Sequence, residues 1–154
     1  MVSGAALAVA SVSSAERLPA SGSESRSLCE VVAAANDLDG KEVVVRGYYY
    51  RGFEISELYC PTVCPDVRAW VQVAKLSEAA EAELRPKGKP RSGVVAAVTI
   101  KGGLSAAGHA FGHLGAYEYQ IGSAEILSAK IVARGGAARG QPVRGTDVCG
   151  TLVP

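Results

Sequence analysis

Residues 40 to 52 read GKEVVVRGYYYRG, a run of β-branched and aromatic side chains that suits a pleated, half-buried surface. Gly47 falls in the middle of the run. A glycine inside a strand permits the sharp bend that a small barrel needs. Alternation sorts Val43, Val45, Gly47 and Tyr49 onto one face and Val44, Arg46, Tyr48 and Tyr50 onto the other, and the first set is expected to face the core. The stretch therefore reads as the opening strand of a small barrel, and the flanking segments can be placed around it.

Upstream, Ser27 and Glu30 have the S-x-x-E form of a capping box, so a short helix is expected to follow. Leu28, Val31, Val32 and Ala35 share one face of it, and Asn36 suits a left-handed terminator. Downstream, Arg51 and Gly52 are read as a turn. Residues 53 to 59 form a second strand, irregular where Ile55 and Leu58 break the alternation. CPTVCP, residues 60 to 65, is expected to be loop because each proline removes a ladder donor. Residues 69 to 74 form a third strand, with Ala69, Val71 and Val73 opposite Trp70 and Gln72. The period then changes: residues 76 to 85, rich in Ala, Glu and Leu, predict a helix with Ser77 as its cap and Pro86 just beyond. A basic connection, residues 87 to 91, leads to a fourth strand over residues 93 to 101, with Val94, Ala96, Val98 and Ile100 on one face. A glycine-rich loop, residues 102 to 115, precedes a last strand over residues 117 to 132 that is expected to bulge at Gly122.

A chain of 154 residues with these elements is sized for one domain. Lys and Arg total 16 against 15 Asp and Glu, so no overall field draws in nucleic acid or an anionic membrane. Residues 1 to 26 are a signal-like or disordered leader. The apolar run at residues 5 to 12, followed by small residues, has the form of the later part of a secretory signal without its basic start, and it is too short to span a bilayer. Residues 134 to 154 lack periodicity and are expected to be a disordered tail.

Strand, strand, strand, helix, strand, strand is the order of the OB-fold, a five-stranded Greek-key barrel, here expected over residues 27 to 133 in an all-β chain with short helices. GKEVVVRG at residues 40 to 47, FEISELYC at residues 53 to 60 and FGHLGAYEYQI at residues 111 to 121 resemble a loosely defined group of uncharacterised exported bacterial proteins with OB-like barrels. The resemblance covers about residues 28 to 133. It implies the fold and export, and it supplies no catalytic residues.

Four cysteines beside an export-like leader point to disulfides rather than metal. The helix carrying Cys29 and the loop carrying Cys60 and Cys64 fall at the same end of such a barrel. Cys29 is thus expected to pair with Cys60 or Cys64, while Cys149 takes the remaining thiol or stays free; a local Cys60–Cys64 bridge is the rival. A zinc site combining C-x3-C with H-x3-H at His109 and His113 is topologically reachable, but the separation is unlike zinc-finger spacing. The expectation is no metal and no cofactor, with His113 holding the glycine loop by hydrogen bonding.

No serine sits in a nucleophile turn. Glu54 and Glu57, on one short strand, read as a solvated edge rather than a glycosidase pair. The aromatic residues Tyr48, Tyr50, Trp70, Tyr117 and Tyr119 come from strands that meet in such a barrel. One reading is that most of these rings simply cap the barrel, since aromatics are favoured in any half-buried strand; the alternative is that they bind a ligand, since aromatic faces stack on bases or sugar rings. The candidate ligand-binding residues are therefore Tyr48, Tyr50, Glu54, Trp70, His113 and Tyr117. These observations predict a non-catalytic exported binding or interaction module for a protein, glycan or small-molecule ligand. The alternative, a cytoplasmic single-stranded nucleic-acid binder, is disfavoured because Glu54 and Glu57 stand where a basic groove is expected.

Overall fold

Ser27 and Glu30 close their capping box: the Glu30 amide donates to the Ser27 hydroxyl at 3.2 Å, and the Ser27 amide donates to the Glu30 carboxylate at 2.6 Å. The cap starts α1 (Leu28–Ala33), which buries Leu28 and Val31. In this computed structural model, which describes residues 24–85, 93–106, 108, 110–135, 138–141 and 148–150, the cap also ends a short strand, β1 (Arg26–Ser27). The helix breaks at Ala34 and resumes as α2 (Ala35–Leu38). Asn36 therefore lies inside a helical turn instead of ending one, and Gly40, with φ +73°, makes the left-handed step into the sheet.

The opening strand is β2 (Glu42–Gly52). Phe53 and Glu54 form the turn that the sequence placed at Arg51 and Gly52, and β3 (Ile55–Cys60) returns antiparallel, with Gly52 opposite Ile55. β4 (Cys64–Leu76) begins immediately after a three-residue turn, with Cys60 opposite Cys64. Only residues 61–63 of the expected CPTVCP loop are outside strands. Pro65 is accommodated because β4 meets β6 only from Ala69 onward, which leaves its first residues on an edge.

Ser77 caps α3 (Glu78–Leu84), its hydroxyl accepting from the Ala80 amide at 3.1 Å. The expected basic connection and Pro86 lie outside the described residues, as do the leader through residue 23 and His109. β5 (Val94–Ser105) runs further than its sequence pattern, shortening the glycine-rich loop. β6 (Tyr119–Arg134) is irregular beside Gly122, where its pairing with both β4 and β5 shifts register.

These strands make a six-stranded mixed sheet of order β1-β2-β3-β4-β6-β5, and β2 also pairs with β5, so that β2 to β6 form a ring. The β2–β5 ladder is antiparallel from Glu42↔Gly103 to Arg51↔Val94. Around the ring only β4 and β6 are parallel. Val45, Leu58, Ala69, Val71, Val98, Ile100, Leu104, Ile121 and Ile126 fill the core. Gly47 is where β3 comes closest to β2: a Cβ there would sit 3.1 Å from the Leu58 side chain and 3.3 Å from the Tyr59 carbonyl. Val73, read on the same face as Ala69 and Val71, is 37% exposed, whereas those two are buried. Val95 and Ala97 are buried along with Ala96, Val98 and Ile100, so β5 is covered on both faces near its start. Among the described residues no helix is long and apolar enough to cross a membrane.

Candidate functional site

Strand register brings one row of side chains together on the face opposite the core residues. Tyr48 lies across from Tyr59, and Tyr59 from Arg68; Tyr50 lies across from Glu57, and Glu57 from Trp70. Glu57 sits at the centre of this face and is fully buried. A buried carboxylate is costly unless every lone pair finds a partner. Here Arg139 donates from Nε to Oε1 at 2.6 Å and from Nη2 to Oε2 at 2.7 Å, Arg68 donates from Nη1 to Oε1 at 2.8 Å, and the Tyr117 hydroxyl donates to Oε2 at 2.9 Å.

Burial alone would raise the Glu57 carboxyl. The hydrogen bonds from Arg139 and Tyr117, with the charges of Arg139 and Arg68, outweigh it and hold the group below the usual carboxylate range. The Tyr117 hydroxyl is pushed up to about 12, first by burial and then by donating to that carboxylate. The hydrogen bond to Glu57 likewise raises the Arg139 guanidinium. The expectation of a solvated acidic edge is thus overturned for Glu57. It points into a cluster made by side chains 60 and 82 residues further along the chain.

The rings around this carboxylate are covered as well. Tyr48, Tyr50 and Tyr117 are buried. The Arg139 guanidinium lies 5.8 Å from the Tyr50 ring centroid, and Arg68 lies 5.5 Å from that of Tyr59. Tyr48 and Tyr59 are 6.0 Å apart between centroids, and Trp70 and Tyr117 are 5.4 Å apart. The expected stacking platform is therefore internal packing at Tyr48, Tyr50 and Tyr117, while Trp70 and Tyr119 keep partial exposure. Gly112, at φ +69°, passes directly over the indole; a Cβ there would come 2.6 Å from it, so this position admits no larger residue without displacement.

Arg139 belongs to the region expected as a disordered tail. That region lies partly outside the described residues, but where described it is attached to the sheet twice, through Arg139 and through Cys149, which is bonded to Cys60 and 2% exposed. Cys29 is bonded to Cys64. The long-range pairing of Cys29 thus forms, Cys149 takes the remaining thiol, and the local Cys60–Cys64 bridge does not. Two such crosslinks fit an oxidising, extracytoplasmic compartment.

A recess of about 730 Å³ opens where β2 turns into β3 and β4 runs into α3. Tyr49, Val71, Leu84 and Ile126 give it a buried apolar floor, Ser56, Trp70 and Gln72 line its wall, and the exposed Arg51, Glu54, Lys75 and Glu81 stand at its rim. Ser56 donates to the Val71 carbonyl at 2.6 Å, so in its 3.0 Å contact with Tyr49 the tyrosine is the donor. The Tyr49 oxygen keeps its lone pairs as acceptors. Burial pushes the pKa of that hydroxyl up, so it stays neutral.

Glu54 and His113, the remaining sequence candidates, are exposed and face each other at 3.9 Å, linking the β2–β3 turn to the loop before β6. Both loops strain a side chain into left-handed backbone, Glu54 at φ 56° and Leu114 at φ 57°. The structure thus divides the six candidates. Tyr48, Tyr50 and Tyr117 serve the Glu57 cluster, Trp70 lies between that cluster and the recess, and Glu54 and His113 join two loops at the surface.

Arg68, Arg139, Tyr49 and Ser56 were missed as site residues. Cys149 was the available signal for Arg139, since a cysteine near the end of the chain that finds a partner returns its neighbours to the sheet. Among the described residues no group of His, Cys, Asp and Glu is placed to hold a metal ion. No protein-family model, curated protein or solved structure matches this chain.

Proposed function

We propose that the chain is a non-catalytic, exported binding module of the OB-fold type whose ligand, a short glycan, seats in the recess beside Trp70. The fold assignment rests on ring order. Leaving β1 aside, the five strands run first, second, third, fifth, fourth and back to the first, with the third and fifth parallel and a helix between the third and fourth. Folds of this class bind oligosaccharides and oligonucleotides. Export is supported by the two disulfides.

The observation that carries the binding reading is the recess itself, which joins a buried apolar floor to neutral polar groups and one partly exposed indole. A sugar ring presents an apolar C–H face and a rim of hydroxyls. Trp70 offers a surface for the first, and Gln72 with the Tyr49 oxygen offers partners for the second. A nucleic-acid ligand is favoured less, because the rim mixes Arg51 and Lys75 with Glu54 and Glu81 instead of forming a basic track.

The chain has a single tryptophan, so its fluorescence reports on this wall without labelling. Titration with a panel of short oligosaccharides is expected to give a saturable change in emission with at least one member, and Gln72→Ala is expected to weaken it. Saturation by single-stranded DNA with a steep salt dependence would move the assignment to nucleic acid. Silence across the panel in folded protein would remove the glycan reading.

A further inference from the structure

Glu57 has no surface facing water, and of the two guanidinium groups that balance it, Arg68 lies in the sheet and Arg139 outside it. The receiving half of the contact is built by β2, β3, β4 and a residue two positions before β6: Glu57, the Tyr50 ring, Arg68 and the Tyr117 hydroxyl. The entering half, Arg139, comes from beyond the last strand and is 82 residues away in sequence. Nε and Nη2 each reach a different carboxylate oxygen, a parallel fork that guanidinium offers and ammonium does not. Tyr50 lies beside the same group at cation–π distance.

The receiving half does not depend on Arg139 for all its partners. Arg68 holds Oε1 and Tyr117 holds Oε2, so the carboxylate keeps one hydrogen bond on each oxygen when the fork is withdrawn. The following residue is selected too. Gly140 is at φ +72°, and a Cβ there would come 3.1 Å from Arg68 Nη2, so arginine followed by glycine fits where arginine followed by a larger residue is strained and crowded.

We propose that the Glu57 cleft is a guanidinium-binding site for Arg-Gly peptide segments, with Arg139 and Gly140 as its occupant in cis. The site is separate from the recess beside Trp70, and its ligand class is a cationic peptide rather than a neutral sugar. The Cys60–Cys149 crosslink keeps the chain near Arg139 beside the cleft, which gives the resident segment a high effective concentration. A second peptide gains access only when the resident arginine is removed.

The test uses the full oxidised chain and two blocked tripeptides, acetyl-Ala-Arg-Gly-amide and acetyl-Ala-Lys-Gly-amide, followed by thermal shift and calorimetry. Wild type is expected to bind neither in the millimolar range. Arg139→Ala is expected to bind the arginine peptide at one site with a rise in Tm toward wild type, and to bind the lysine peptide about tenfold more weakly or less, as loss of the bidentate fork implies. Glu57→Gln combined with Arg139→Ala is expected to lose the response. Folded Arg139→Ala that shows no saturable response, or the same response to both peptides, would overturn the proposal. If Arg139→Ala does not fold alone, recovery of folded protein on refolding with the arginine peptide and not the lysine peptide supports the site, and failure to recover with either overturns it.

Discussion

Arg139 closes its guanidinium fork on both oxygens of Glu57, at 2.6 and 2.7 Å, and so ties the chain beyond the last strand to the middle of the sheet. The two ends of this contact are not equivalent. Glu57 is wholly buried, whereas the Arg139 side chain is 37% exposed. Glu57→Ala leaves Arg68, Arg139 and Tyr117 without their acceptor, and is expected to cost about 3–5 kcal/mol, the range for breaking a buried ion pair. Arg139→Ala leaves Glu57 with two donors and is expected to cost less, about 1–3 kcal/mol. Urea unfolding of both variants checks the order. An Arg139→Ala cost above that of Glu57→Ala would mean that the carboxylate is not the hub of the cluster.

The same cluster sets the pH limits of stability. Glu57 is held below its ordinary value of 4.5, so its contribution is fully present above that value and is lost as pH falls through the lower value of the folded state. Tyr117 is shifted the other way. Its contribution is complete below its ordinary value of 10.0 and is lost as pH rises toward about 12. Melting curves of wild type from pH 2 to pH 7 are expected to fall on the acid side more steeply than those of Glu57→Gln. Spectrophotometric titration is expected to show Tyr117, with Tyr49 and Tyr59, ionising above the ordinary tyrosine value of 10.0. Early ionisation of a tyrosine that disappears in Tyr117→Phe would contradict the hydrogen bond to Glu57.

The core makes a simpler prediction. Ile100 is fully buried between Val45 on β2 and Ile126 on β6. Ile100→Ala is expected to cost about 2–5 kcal/mol. Phe53, 89% exposed in the β2–β3 turn, is expected to tolerate Ala within about 0.5 kcal/mol. Equal effects of the two substitutions in chemical denaturation would mean that the core face is misassigned.

Local chemistry made much of the fold readable. The Ser27–Glu30 capping box, the Ser77 cap and the alternation of Val43, Val45 and Tyr49 depend on residues within a few positions of one another, and each formed. The β2–β5 pairing followed from strand order. The candidate site was less legible because alternation assigns a side chain to a face but does not say what covers that face. Glu57 was expected on a solvated edge and Tyr50 on the face opposite the core set, yet both are buried, because Tyr117 and Arg139 arrive from 60 residues and more along the chain. Residues 134 to 154 show no helical or strand period, and the attachment of Arg139 and Cys149 to the sheet needs none. The recess was invisible for a related reason: its floor joins Tyr49, Leu84 and Ile126 from three separate elements.

Disulfide connectivity, read by peptide mapping of the oxidised protein without reduction, tests most directly the claim that Cys149, beyond β6, is tied back to the sheet at Cys60. Cys29–Cys64 and Cys60–Cys149 span 35 and 89 residues. Taken singly, loops of these lengths correspond to about 4 and about 4.5 kcal/mol in the chain-entropy model. Peptides carrying Cys60 and Cys149 are expected to migrate as one crosslinked species, with a second species joining Cys29 to Cys64. A Cys60–Cys64 crosslink, or Cys149 recovered as a free thiol, would contradict that arrangement.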